Sequence, residues 1–102
     1  MIKETTILSG TDDSQTYESV DAFFTTHGLD DWRATQLKCF TDAGFDVTDA
    51  TKQMCEMSDD NKRVLITVAY ADQAEKDAIL GNAPAGDGPA GLVQYETDDH
   101  LF

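Results

Sequence analysis

This 102-residue sequence predicts an α+β fold in which one antiparallel sheet is covered by helices on one face. Two patterns carry that reading. Stretches that alternate or run apolar with strand-like composition open the chain, cross its middle and return near its end. Between them the apolar residues recur at helical spacing. In chain order the elements read β-α-α-β-β-α-β, the ferredoxin-like β-α-β-β-α-β with its first helix split at Gly28. One domain of this length buries roughly two thirds of its unfolded surface, enough for a core without disulfide or metal support.

Residues 2–9 form the first expected strand, rich in Ile and Thr and ended by Gly10. An amphipathic helix is expected over 17–27: Tyr17, Val20, Phe23 and Phe24 share one arc, and Gly28 supplies the left-handed stop. Asp30 then serves as the expected N-cap of a second helix reaching Ala43. Gly44 ends it, with Phe45 folding back on Phe40 as the apolar contact of a Schellman motif. Residues 45–57 carry both a helical and a strand pattern. The turn Ser58-Asp59-Asp60-Asn61 favours a strand paired with the next one. Residues 62–71 are the strongest strand, with Val64, Ile66, Val68 and Tyr70 on one face and Leu65, Thr67 and Ala69 on the other, the signature of a central position. Asp72 and Glu75 form a capping box for a short helix to Leu80. A Pro/Gly loop follows, then a last strand over 92–97. The expected domain is 1–97, and 98–102 is a short, acidic, solvated tail.

Charge is the sequence's most distinctive property. Seven Lys and Arg stand against 20 Asp and Glu, a formal net charge of −13. Such a balance argues against direct contact with nucleic acid or anionic lipid, which both need cations facing phosphate. The apolar runs are too short for a membrane helix, and the first residues lack the apolar stretch of a secretory leader. Cys39 and Cys55 lack the spacing of a zinc site, and no histidine is placed to complete one. The expectation is two reduced thiols in the cytoplasm, with neither metal nor cofactor.

Several motifs resolve into ordinary structure. Gly86 to Gly91 spells G-x-G-x-x-G, but it follows a helix and precedes a strand, with Pro89 and Asp87 where phosphate would need donors. A flexible loop is the expectation. The central strand offers only Tyr70 as an aromatic platform, too little for an RNA-binding sheet. His27 falls in a last helical turn, where a protonated ring suits the dipole. Arg33 lies within the apolar arc of its helix, either snorkelling over the core or pairing with a carboxylate at a subunit interface. Trp32 beside it reads as core.

Four Asp-Asp pairs, at 12–13, 30–31, 59–60 and 98–99, exceed what capping alone requires. No base lies between Lys3 and Arg33, and that stretch supplies the candidate partner-binding residues: Asp12, Asp13, Glu18, Asp21, Asp30 and Asp31. The leading functional expectation is a small non-catalytic module docking on a basic protein surface. Its sharper form is an inhibitor that imitates nucleic-acid phosphates, of the size and charge found among phage accessory proteins. Two alternatives stand beside it. One is a homodimer enclosing a small-molecule pocket or cofactor-free active site, with Tyr70, Tyr95 and His100 as its polar groups. The other treats the charge as an adaptation to salt, unrelated to any partner.

Overall fold

The computed structural model describes residues 1–83 and 91–102. Seven elements follow the expected order: β1 (Ile2–Gly10), α1 (Val20–Thr26), α2 (Asp30–Asp42), β2 (Gln53–Met57), β3 (Arg63–Tyr70), α3 (Gln73–Gly81) and β4 (Leu92–Thr97). The four strands form one antiparallel sheet in the order β2-β3-β1-β4. β1 and β3 hold the centre, with Leu8 opposite Val64 and Ile2 opposite Tyr70. The Gly86–Ala90 part of the glycine motif lies outside the described residues.

Register decides which residues meet the helices. The inward face carries Leu8 on β1, Val64, Ile66, Val68 and Tyr70 on β3, and Cys55 and Met57 on β2. Two apolar clusters grow from it. One joins Leu8 and Val64 to Tyr17, Phe23, Phe24 and Leu29. The other joins Val68 and Tyr70 to Cys39, Phe45 and Ile79. Ile66 packs at the edge of both.

Two helix starts differ from expectation. The first helix begins at Val20 rather than Tyr17, because the Ser19 hydroxyl accepts the Ala22 N–H and caps it there. Tyr17 stays in the core, its ring edge-on to Phe23 at 4.7 Å. Its main chain is engaged elsewhere: Tyr17 N–H donates to the Asn61 carbonyl at 2.8 Å, and Asn61 Nδ2 donates to the Tyr17 carbonyl at 2.9 Å. Asp30 is the first residue of α2 rather than its cap, a position held by Leu29. The Asp30 carboxylate instead accepts from the Thr25 hydroxyl. At the other end of α2, Gly44 takes φ +80°, Phe45 N–H donates to the Phe40 carbonyl at 3.0 Å, and the two rings meet at 5.3 Å. That is the Schellman contact.

Within 45–57 only Gln53–Met57 is strand. The preceding residues are consumed by two consecutive turns, in which Asp46 holds Thr48 and Asp49 holds Thr51. The capping box of α3 forms, with Asp72 accepting the Glu75 N–H and Glu75 reaching back to the Ala71 N–H.

Candidate functional site

The carboxylates divide by occupation. Asp12, Asp46 and Asp49 each accept both the backbone N–H and the hydroxyl of the Ser or Thr two residues on. Asp60 accepts the Ser58 hydroxyl at 2.5 Å and the Lys62 N–H at 3.1 Å. Side-chain hydrogen bonding, then backbone hydrogen bonding, holds all four below the ordinary carboxylate value of 3.8. The recurring Asp-x-Ser/Thr triplets explain much of the aspartate content as turn chemistry.

Three of the four pairs therefore resolve into one working member and one spare. The carboxylates of Asp12, Asp30 and Asp60 have local partners, whereas those of Asp13, Asp31 and Asp59 accept no hydrogen bond among the described residues. Of the six expected site residues, Asp12, Asp13 and Glu18 lie on the β1–α1 connection, Asp21 on α1, and Asp30 and Asp31 at the start of α2. All six are exposed. Asp21 is committed to Arg33 at 2.5 Å. The Tyr17–Asn61 clasp adds what sequence reasoning missed, fastening the 58–62 hairpin, with Asp59 and Asp60, to the segment bearing Glu18. Arg63 leaves that hairpin paired to Asp60 at 3.6 Å.

Arg33 forms its ion pair within the chain rather than across a subunit boundary. Its guanidinium lies 4.7 Å from the centre of the Phe24 ring, which also stacks on Trp32. His27, which follows the last turn of α1, places its Nε2 2.6 Å from the Tyr17 hydroxyl.

Beneath α2 lies a cleft of about 340 Å³ that the sequence did not announce. Its apolar walls include Trp32, Leu37 and Phe40 from α2, and Ile66 and Val68 from β3. Polar groups come from inward positions of the strands: Glu4 and Thr6 on β1, Gln53 and Cys55 on β2, and Gln94 on β4. The charged members are already matched, Arg33 with Asp21 and Glu4 with Lys76. Burial raises the Cys55 thiol from 9.0 to about 11. Tyr70, also on the lining, is raised to about 12, first by burial and then by Glu4, Glu75 and Glu96. Both are neutral near pH 7. Gln53 Oε1 is buried and has no hydrogen-bond partner among the described residues.

The second sheet face carries a separate polar chain. Thr5 and Thr67, opposite each other on the central strands, join through their hydroxyls at 2.6 Å. Leu101 N–H donates to Thr67 Oγ1 at 3.0 Å, and His100 Nδ1 lies 2.8 Å from Thr5 Oγ1. Thr5 Oγ1 links Thr67 Oγ1 to His100 Nδ1 in one polar chain. Residues 100–102 thus rest on the sheet, with Lys3 donating to the Phe102 main-chain oxygen, instead of trailing in solvent. Tyr95 belongs to this face and Tyr70 to the helix-covered one, so Tyr70, Tyr95 and His100 do not form one pocket.

No group of three or more His, Cys, Asp or Glu among the described residues is arranged to hold a metal ion. No helix among them is long and apolar enough to cross a membrane. Comparison with known protein families, characterised proteins and solved structures gave no match.

Proposed function

We propose that the chain is a non-catalytic module whose acidic surface docks on a basic protein, occupying the place of nucleic-acid phosphates. The observation that carries this reading is the Tyr17–Asn61 clasp. Two hydrogen bonds hold the hairpin carrying Asp59–Asp60 beside the segment carrying Asp12, Asp13 and Glu18. Residues more than forty positions apart thereby contribute to one acidic end, and its spare carboxylates have no turn or cap to serve. Carboxylates crowded without partners destabilise the fold by self-repulsion, a cost that a cationic partner relieves. The same reading puts the chain in a reducing cytoplasm, and the free thiols of Cys39 and Cys55 support that.

The fold reading sharpens in the same direction. β3 lies between the parallel β1 and β2, and β1 lies between the parallel β3 and β4. These interleaved split βαβ units support a ferredoxin-like assignment.

The test compares two variants of equal charge change in pulldowns across a salt series. Neutralising Asp13, Glu18 and Asp59 together (D13N/E18Q/D59N) is expected to abolish capture of a basic protein, and duplex DNA is expected to compete for it. The control D77N/D98N/D99N removes three charges elsewhere and is expected to retain capture. Equal loss in both, or no basic partner at low salt, refutes the proposal. A second reading, salt adaptation, is favoured by Asp46, Asp49, Asp98 and Asp99, which lie away from that end on other loops.

A further inference from the structure

We infer that the second sheet face is a self-association surface on which a second copy of this chain packs face to face. The contact uses none of Asp12, Asp13, Glu18 or Asp59, so it stands apart from the acidic end.

Register arranges the outward side chains in rows that cross the strands. One row holds Met54, Thr67, Thr5 and Thr97. Residues 100–102 lie over its centre, bonded through His100 to Thr5 and through Leu101 to Thr67, and both threonines are buried. The next row is Glu56, Leu65, Ile7 and Tyr95, and the one beyond it is Arg63, Ser9 and Val93. The chain's own last residues thus close one part of the face, while Tyr95 and Val93 stay 42% and 47% exposed.

Charge separates this face from the rest of the molecule. The chain has 20 acidic residues, yet Glu56 is the single carboxylate at an outward strand position, against Lys3 and Arg63. A basic protein finds little negative charge to meet there, and nucleic acid finds too few cations. A second copy suits the face because the face complements itself. A two-fold axis running across the strands, between the Leu65 row and the Arg63 row, lays each row over the other. Tyr95 then faces Val93 of the second copy and Ile7 faces Ser9, a large side chain over a smaller one each time. Arg63 reaches Glu56 of the second copy, and its stem covers Leu65. Its contact with Asp60 is long, at 3.6 Å, and leaves donors for that second carboxylate.

Two rows make a small contact, short of the ~1,200 Å² of standard stable interfaces, so the dimer is reversible. Each copy carries a formal charge of −13, and bringing two together costs repulsion that salt screens. Self-association therefore strengthens with salt. Docking of the acidic end on a basic protein weakens with salt, so the two surfaces respond in opposite directions.

Sedimentation equilibrium of the full chain tests this between roughly 10 μM and 1 mM, a range that brackets weak association, at low and high NaCl. The average mass is expected to rise from 11.2 kDa toward twice that value with concentration, and further at high salt. Arg63→Glu is expected to weaken association about tenfold or more by setting like charges together, and the exchange E56R/R63E is expected to restore it. Should R63E not fold, concentration-dependent amide shifts in the unaltered protein locate the contact, expected at Ile7, Leu65, Val93 and Tyr95. A mass of 11.2 kDa throughout overturns the inference and leaves the face to a different protein or to solvent. Association that falls with salt, that survives R63E unchanged, or whose shifts lie on the helices overturns it equally.

Discussion

Replacing Thr67 with valine tests the polar chain that crosses the second sheet face. Thr67 is fully buried, and valine matches its shape without the hydroxyl. The change removes the acceptor of the Leu101 N–H and the hydrogen-bond partner of Thr5 Oγ1. A buried donor left without its acceptor costs about 1–3 kcal/mol. Leu101 is only half-buried and can turn partly to water, so we expect a loss of about 1–2 kcal/mol for T67V. For a domain of this size that lowers Tm by roughly 5–10 °C. Thr5→Val interrupts the same chain and also strips the partner from His100 Nδ1. The double variant T5V/T67V is expected to lose less than the sum of the two, because one bond is common to both. Urea unfolding measures the energies, and amide exchange at Leu101 reports the local contact. An unchanged Tm for T67V, or strict additivity, refutes the hydrogen-bond assignment.

Four further outcomes follow from the same structure. Ser19→Ala removes the cap that fixes where α1 begins and is expected to destabilise the fold by about 1 kcal/mol in urea unfolding. Gly44→Ala puts a side chain at φ +80° and is expected to cost roughly 1–2 kcal/mol by the same assay. The lowered carboxyls of Asp46 and Asp49 mean that the unfolded chain holds more protons just below 3.8, so stability is complete above that value and lost as pH falls through the native values; D46N/D49N should flatten this acid limb. Cys55 and Tyr70 are raised, so their contribution is complete below their ordinary values of 9.0 and 10.0 and is lost as pH climbs through about 11 and 12, which a base-unfolding curve followed by circular dichroism will show.

Local signals made most of the fold legible in the sequence. The alternation in β3, the Asp72–Glu75 box and the Gly44–Phe45 stop each act within a few residues, and each formed where its chemistry placed it. The errors came where two local signals competed. Tyr17 shares the apolar arc of α1 but lies outside the helix, because Ser19 caps first and Asn61 takes the Tyr17 main chain. Residues 46–51 fit either period, and their Asp-x-Thr triplets settled the matter as turns. The cleft was illegible for another reason. Its polar groups are inward only once register is known, since Glu4 stands opposite Val68 and Thr6 opposite Ile66. Two polar residues at inward positions of a central strand were the available signal, beside Arg33 in an apolar arc.

The division of aspartates into working and spare members bears on why the charge persists. A turn of the Asp-x-Ser/Thr kind needs an acceptor, and Asn serves as readily as Asp. Structure alone therefore explains an acceptor at positions 12, 46, 49 and 60 but does not require that it be charged. The spare residues Asp13 and Asp59 lie exposed in turns outside any helix, and their carboxylates serve no local hydrogen bond. If negative charge itself is what they contribute, replacing them by Asn should raise stability at low ionic strength by relieving repulsion, and the gain should vanish as salt screens them. Salt adaptation predicts the same relief for any two exposed carboxylates. Docking on a basic partner adds a loss of binding confined to the end where the hairpin meets α1, so stability and capture measured on the same variants separate the two explanations.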